Sequence, residues 1–270
     1  MTPTQDPKIW RPARFSMGAE DTKELEEQFA VLVLNQPIEN KPLFMQLCER
    51  ANTLNVADGG ANRMKDLLSK DEESLNVICG DLDSIRPEVR AYYEDKDFQI
   101  IHDPDQYATD MTKTLKWIRG RSGQISDMDQ PEKSPNRLLH IAIFGGLGGR
   151  ADQAFSQLHH LYRVALEPPI QYAGDLYLIT TDGVIFLLER GMNKIYSPVG
   201  PGFFTENVGI IPIGKPSIIT TRGLEWDVED WHTEFGRDIS TSNHIRAAVI
   251  EVETTERVLF TMEFAPQRGK

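Results

Sequence analysis

FAVLVLN, residues 29–35, followed by KPLFMQLCERAN, residues 41–52, reads as a β-strand and a helix in immediate succession. The first run is apolar throughout and rich in β-branched valine, with no polar alternation, as expected of a strand buried on both faces. The second places its apolar residues at helical spacing. The same couplet recurs outward along the chain. TLNVAD (53–58) leads into GGANRMKDLLS (59–69), and LNVICGD (75–81) into PEVRAYYED (87–95), where Pro87 suits a helix's first turn. FQIIHD (98–103) precedes TDMTKTLKWI (109–118), whose Met111, Leu115 and Ile118 share one face, and LLHIAIFGG (138–146) precedes ADQAFSQLHHLYRVALE (151–167). Alternation of this kind predicts a mostly parallel, Rossmann-like α/β sheet with helices on both faces.

Beyond about residue 175 helical spacing gives way to short strands. DLYLITTDGVIFLLERG (175–191) reads as two strands around a turn, IYSPVG (195–200) and VGIIPIG (208–214) follow, and AAVIEVETTERVLFTMEF (247–264) reads as a hairpin. A C-terminal β-sandwich is expected. The organisation predicted is an N-terminal extension over 1–28, poorly ordered or draped, an α/β domain over 29–172 and a β-sandwich domain over 173–270. The aperiodic, polar segment 119–137 is expected to be a surface loop within the α/β domain.

Composition narrows the partners. The chain has 270 residues, with 41 Asp and Glu against 29 Lys and Arg, for a net charge of −12. Such acidity gives no general electrostatic attraction for a nucleic-acid polymer or an anionic membrane. An anionic ligand therefore needs a local binding device. Cys48 and Cys79 are the two cysteines and lack CxxC spacing, which argues against a disulfide framework or a cysteine zinc site. No stretch is apolar enough to span a bilayer and the N-terminus has no secretory pattern, so a cytoplasmic protein is expected.

In open α/β sheets ligands bind beyond the carboxyl ends of the strands, and the polar motifs fall there: ADGGAN, GDLDS, HDPDQYATD and FGGLGGRAD. In GDLDS, Asp81 and Asp83 lie two apart, so in extended chain they point the same way. Two close carboxylates repel unless a cation such as Mg2+ lies between them, although turn formation and helix capping account for the motif equally well. Asp110 and Lys113, one turn apart at a helix start, form either a phosphate-addressing pair or an ordinary ion pair, with Gln106 and Thr109 adding polar groups nearby. Gly145, Gly146, Gly148 and Gly149 permit a tight turn that brings backbone N–H groups close to phosphate, and Arg150 can add charge-assisted hydrogen bonds. From Gly146 the same loop also fits GxGxxA with Glu167 about 20 residues on, which makes a dinucleotide-dependent oxidoreductase the rival reading.

The histidines, including the adjacent His159 and His160, show no ligand spacing and read as structural or surface residues. Late in the chain, GLEWDV (223–228) and DISTSNHI (238–245) offer Trp226, Ser240, Thr241, Ser242 and Asn243 for an aromatic and polar pocket, or for a core tryptophan and a polar turn.

Taken in order, ADGGAN (57–62), GDLDS (80–84), QYATDMTK (106–113), GGLGGRAD (145–152), GLEWDV and STSN (240–243) resemble the thiamine pyrophosphokinase family, in a fungal-like form. The resemblance spans about 29–264. It implies an α/β domain that binds Mg-ATP, a sandwich that binds thiamine, and a homodimer whose composite active sites join the two across subunits. It further implies diphosphoryl transfer from ATP to thiamine, giving AMP and thiamine diphosphate. By resemblance Asp81, Asp83 and Asp110 hold Mg2+, with Asp58 nearby. Gln106, Thr109, Lys113, the loop glycines Gly146, Gly148 and Gly149, Arg150 and Asp152 address nucleotide and phosphates, and Trp226 with Ser240, Thr241, Ser242 and Asn243 meets thiamine. Gln153 departs from the histidine often found there. A non-catalytic nucleotide- or thiamine-binding module is a third reading.

Overall fold

The computed structural model describes residues 6–18, 28–67, 75–96, 98–122, 138–168, 170 and 173–266. They form two compact units, one within 28–181 and one combining 6–18 with 182–266. The first strand, β1 (Lys8–Trp10), belongs to the second unit.

The unit within 28–181 runs β2 (Phe29–Val33), α1 (Lys41–Arg50), β3 (Thr53–Ala57), α2 (Gly60–Leu67), β4 (Leu75–Gly80), α3 (Pro87–Asp95), β5 (Gln99–His102), α4 (Asp110–Gly120), β6 (Leu139–Phe144), α5 (Ala151–Leu166) and β7 (Ala173–Ile179). Its strands pair in parallel in the order β7-β6-β2-β3-β4-β5. The chain thus winds one way from β2 to β5 and returns on the other side of β2 with β6, creating a switch point between β2 and β6. The apolar runs have the burial their lack of alternation implies: Val31, Leu32, Val33, Val56, Ile78, Ala142 and Ile143 are fully buried. Each valine, leucine or isoleucine so placed contributes about 1.5–3 kcal/mol. Helix starts are locally encoded. Asn40 accepts the Leu43 amide at 3.2 Å to cap α1, and Thr109 accepts the Thr112 amide at 3.2 Å to cap α4.

The second unit adds β8 (Gly183–Leu188), β9 (Gly191–Tyr196), β10 (Phe204–Ile211), β11 (Ser217–Arg222), β12 (Trp231–Thr233), β13 (Ser240–His244), β14 (Val249–Thr254) and β15 (Val258–Phe264). One sheet is the antiparallel series β13-β10-β15-β8. The other is β1-β9-β14-β11-β12, antiparallel except for the β1–β9 pair. Trp10 of one sheet and Phe186 of the other meet with ring centroids 4.9 Å apart, as in a sandwich.

The structure departs from the sequence-based boundaries in three places. Residues 8–10 of the expected extension form an edge strand, and Trp10 and Phe15 are buried, with the Trp10 indole donating to Asn193 at 2.9 Å. The α/β unit ends at 181, not 172, because β7 pairs in parallel with β6. Residues 249–254 and 258–264 are not a hairpin. Glu256, in the connection, and Thr254, at the end of β14, bond to Ser217 of β11 (3.1 and 2.8 Å), and the chain then crosses to the facing sheet. Of the expected loop 119–137, Arg119 and Gly120 close α4, Arg121 and Ser122 follow, and 123–137 lie outside the described residues.

Candidate active site

Parallel pairing of β3 with β4 sets Ala57 beside Cys79, so Asp58 and Asp81 emerge near each other at the strand ends. The Asp58 amide donates to the Cys79 carbonyl at 3.1 Å, continuing that register. Asp110, the first residue of α4, completes a cluster: one carboxylate oxygen from each of Asp58, Asp81 and Asp110 lies within 4.8 Å of the others. The Asp81 amide donates to Asp110 Oδ1 at 3.2 Å. Asp58 and Leu82 hold positive φ (35° and 62°), a conformation unusual for residues with side chains and common at functional sites. Asp83 stands apart from this cluster. Its exposed carboxylate accepts from Ser84 Oγ at 2.8 Å, while its amide donates to Asp81 Oδ1 at 3.3 Å.

Asp58 is 1% exposed. Its Oδ2 accepts the Ser84 amide at 3.0 Å, but its buried Oδ1 has no hydrogen-bond partner. Burial, aided by the charges of Asp110, Asp81 and Asp83, raises this carboxyl above its ordinary range against the Ser84 amide. Lys113 is buried too, with Nζ 3.3 Å from Asp110 Oδ1 and 3.5 Å from Asp81 Oδ2. Burial works against both charges of the latter pair, yet the Asp83 amide and Lys113 hold Asp81 low, and the bond and charge of Asp110 keep Lys113 high. One ammonium does not balance three carboxylates. The all-oxygen donor set and the orphaned Asp58 Oδ1 fit a hard divalent cation such as Mg2+.

At the switch point, the loop after β6 folds against the end of β2. Gln36, Asn40, Gly145, Gly148, Gly149 and Thr181 are among the residues lining a cleft of about 170 Å³. Three of the loop's glycines are sterically constrained. Gly145 and Gly149 have φ of +92° and +70°, and a β-carbon on Gly146 would lie 2.5 Å from Leu178. Gln157 of α5 accepts the Leu147 amide at 2.7 Å and so holds the loop's centre. Arg150 and Asp152 are exposed and paired with each other, Nη2 to Oδ2 at 2.6 Å and Nε to Oδ1 at 3.1 Å. The oxidoreductase reading fails on Glu167. It caps the C-terminus of α5 and binds Arg119 at 3.0 Å, whereas a ribose-binding acid belongs at the end of the next strand.

Gln106 lies exposed in the turn before α4. Thr109, expected to address nucleotide, has its hydroxyl in the cap and in a triangle with Thr112 Oγ1 (2.9 Å) and His160 Nε2 (3.1 Å). His160 is buried, and desolvation, reinforced by His159 and Arg163, pushes its pKa down to about 4. Of the two readings open to it, His160 is thus a structural histidine and not a surface one. The cysteines are buried thiols as expected, Cys48 raised to about 12 and Cys79 to about 11 by desolvation.

Within the second unit, Trp226, Ser240, Thr241 and Asn243 share a pocket of about 250 Å³ with Trp231 and Ile239. Trp226 is 55% exposed, so it is no core tryptophan. Asn243 pairs with its backbone in both directions, accepting the Trp226 amide at 3.2 Å and donating to its carbonyl at 3.0 Å. Asp227 folds the same turn by accepting from Thr221 Oγ1 and the amides of Gly223 and Leu224 at 2.9–3.1 Å. Ser242, at φ 55°, is not among the pocket's lining residues. Gln36, Gln157, His160 and Trp231 are additions that no sequence motif singles out.

Family models for the catalytic domain and for the vitamin B1 binding domain of thiamin pyrophosphokinase match residues 44–172 and 193–259. The chain is 29% identical to thiamine pyrophosphokinase of Saccharomyces cerevisiae over 94% of this chain and 95% of that one. It is 32% identical to thiamine pyrophosphokinase 1 of Oryza sativa subsp. japonica over 93% of each. The solved thiamin pyrophosphokinase from Candida albicans matches with a TM-score of 0.80 and 26% identity, covering 98% of this chain and 95% of that one. The chain belongs to the thiamin pyrophosphokinase family.

Proposed function

We propose that this enzyme transfers the diphosphoryl group of ATP to the hydroxyl of thiamine, giving thiamine diphosphate and AMP. The acidic cluster of Asp58, Asp81 and Asp110 with Lys113, at the carboxyl ends of a parallel sheet, carries this reading. The thiamine hydroxyl oxygen forms a bond to the β-phosphorus, the bond from that phosphorus to the α,β-bridging oxygen breaks, and the hydroxyl proton passes to a carboxylate at the rim. Such a transfer is chiefly a matter of positioning and charge neutralisation.

Asp58, Asp81 and Asp110 would hold Mg2+, which when bound neutralises charge on the phosphate oxygens. Lys113, fixed between Asp81 and Asp110, adds a positive charge at the same rim. Gly146, Gly148 and Gly149 let the loop backbone approach the polyphosphate, and Gln106 and Arg150 address nucleotide from the exposed rim, Arg150 after exchanging Asp152 for phosphate. Trp226 stacks on thiamine, an interaction worth about 0.5–2 kcal/mol for a cation on an aromatic face. Ser240, Thr241 and Asn243 supply the pocket's polar edge.

The proposal includes a cytoplasmic homodimer with composite sites, as the resemblance of the ordered motifs implies. Incubation with Mg-ATP and thiamine, with products separated by chromatography, tests the reaction: AMP and thiamine diphosphate should appear in equal amounts. ADP with thiamine monophosphate would overturn it.

A further inference from the structure

We infer that His160 is a positioning residue that sets the first turn of α4, and with it Asp110 and Lys113, against the glycine loop; this rests on the phosphate-site reading above. Gln157 and His160 lie at i and i+3 on α5, and both are buried. Gln157 Oε1 accepts the Leu147 amide at the centre of the glycine loop. His160 Nε2 meets Thr112 Oγ1 at 3.0 Å and the capping Thr109 Oγ1 at 3.1 Å. One helical face thereby holds both segments that would grip the polyphosphate. A second latch, Arg119 to Glu167 at 3.0 Å, ties the far end of α4 to the end of α5, so α5 holds α4 at both ends, while Asp81 and Lys113 tie the first turn to β4. His160 itself touches none of Asp58, Asp81, Asp110 or Lys113 among its hydrogen bonds, so its influence passes through the two threonines.

The test compares His160→Leu, His160→Gln and Thr112→Val in the full-length enzyme. A small misplacement of Asp110 and Lys113 should lower kcat about 10- to 100-fold in His160→Leu and leave the thiamine KM unchanged. His160→Gln, which keeps a polar group facing the threonines, should recover most of the rate. Thr112→Val removes the shorter of the two His160 bonds from the other side, so it should reproduce part of the defect, and combining it with His160→Leu should add little. The rise in melting temperature on adding Mg-ATP should shrink in His160→Leu. The inference is overturned if His160→Leu lowers melting temperature but keeps its kcat and its Mg-ATP response, or if the two losses multiply. Should the His160→Leu substitution prevent folding, Thr112→Val carries the same test of kcat and Mg-ATP response. A wild type that binds Mg-ATP without releasing AMP would sink the proposed reaction, and the Mg-ATP melting shifts would still decide the role of His160.

Discussion

Gly80 stands so close to Asp110 that a β-carbon on it would lie 2.8 Å from the Asp110 Oδ1, and 2.6 Å from the Asp58 β-carbon. The glycine of GDLDS is therefore a spacer that lets two carboxylates converge. Gly80→Ala should push both aside and lower kcat by about 100-fold, since misplacement of roughly an ångström costs that much. Rates of AMP release and thermal melts on the same preparation check this. A variant with wild-type rates would show that the cluster tolerates the shift.

Asp81 is legible because strand ends are: continuous apolar runs mark the strands and the rim rule then selects the acid that follows, whereas Asp110 is read from a helix start and Asp58 enters only with the family resemblance. Two residues of spacing say nothing about the turn through Leu82, which brings the Asp83 carboxylate to Ser84 Oγ. For Thr109 and Asn243 the segment is legible and the intramolecular contacts are not. Their hydrogen bonds run to His160 and to the Trp226 backbone, partners 51 and 17 residues away that no local pattern reveals. The same holds for β1, a three-residue strand whose pairing with β9 spans most of the chain.

Asp58 has a stability consequence. A carboxyl whose folded pKa is raised stabilises the fold while protonated, below its unfolded pKa, and that contribution is lost as pH rises through the raised folded value. Without a divalent ion, ionising Asp58 is thus destabilising. Asp58→Asn should melt higher than wild type in EDTA, gain less from added Mg2+, and lose most AMP release. Melting curves with and without Mg2+ measure this, and a lower melting temperature in EDTA would refute the assignment.

The Trp226 pocket should report on thiamine alone. Loss of about 0.5–2 kcal/mol of stacking predicts a thiamine KM about 2- to 30-fold higher for Trp226→Ala, with the ATP KM unchanged. Asn243→Ala frees the Trp226 backbone from both its bonds and should shift the thiamine KM the same way. Steady-state kinetics with each substrate varied separately check both. An ATP KM that rose in parallel would place the tryptophan outside the thiamine pocket.

His160 gives the enzyme an acid-side stability slope. Its pKa falls from 6.5 to about 4 on folding, chiefly by burial, so the unfolded chain binds a proton that the folded chain refuses between those values. Stability from this group is therefore complete above about pH 6.5 and drains away as pH falls towards 4, by at most about 3 kcal/mol. His160→Gln has no such proton to bind. In urea unfolding at about pH 7 and about pH 4.5, wild type should lose more stability than His160→Gln over that interval, with unchanged m-values. Parallel losses in the two proteins would mean that the ring is hydrated, and that the triangle it makes with Thr109 and Thr112 is open to solvent.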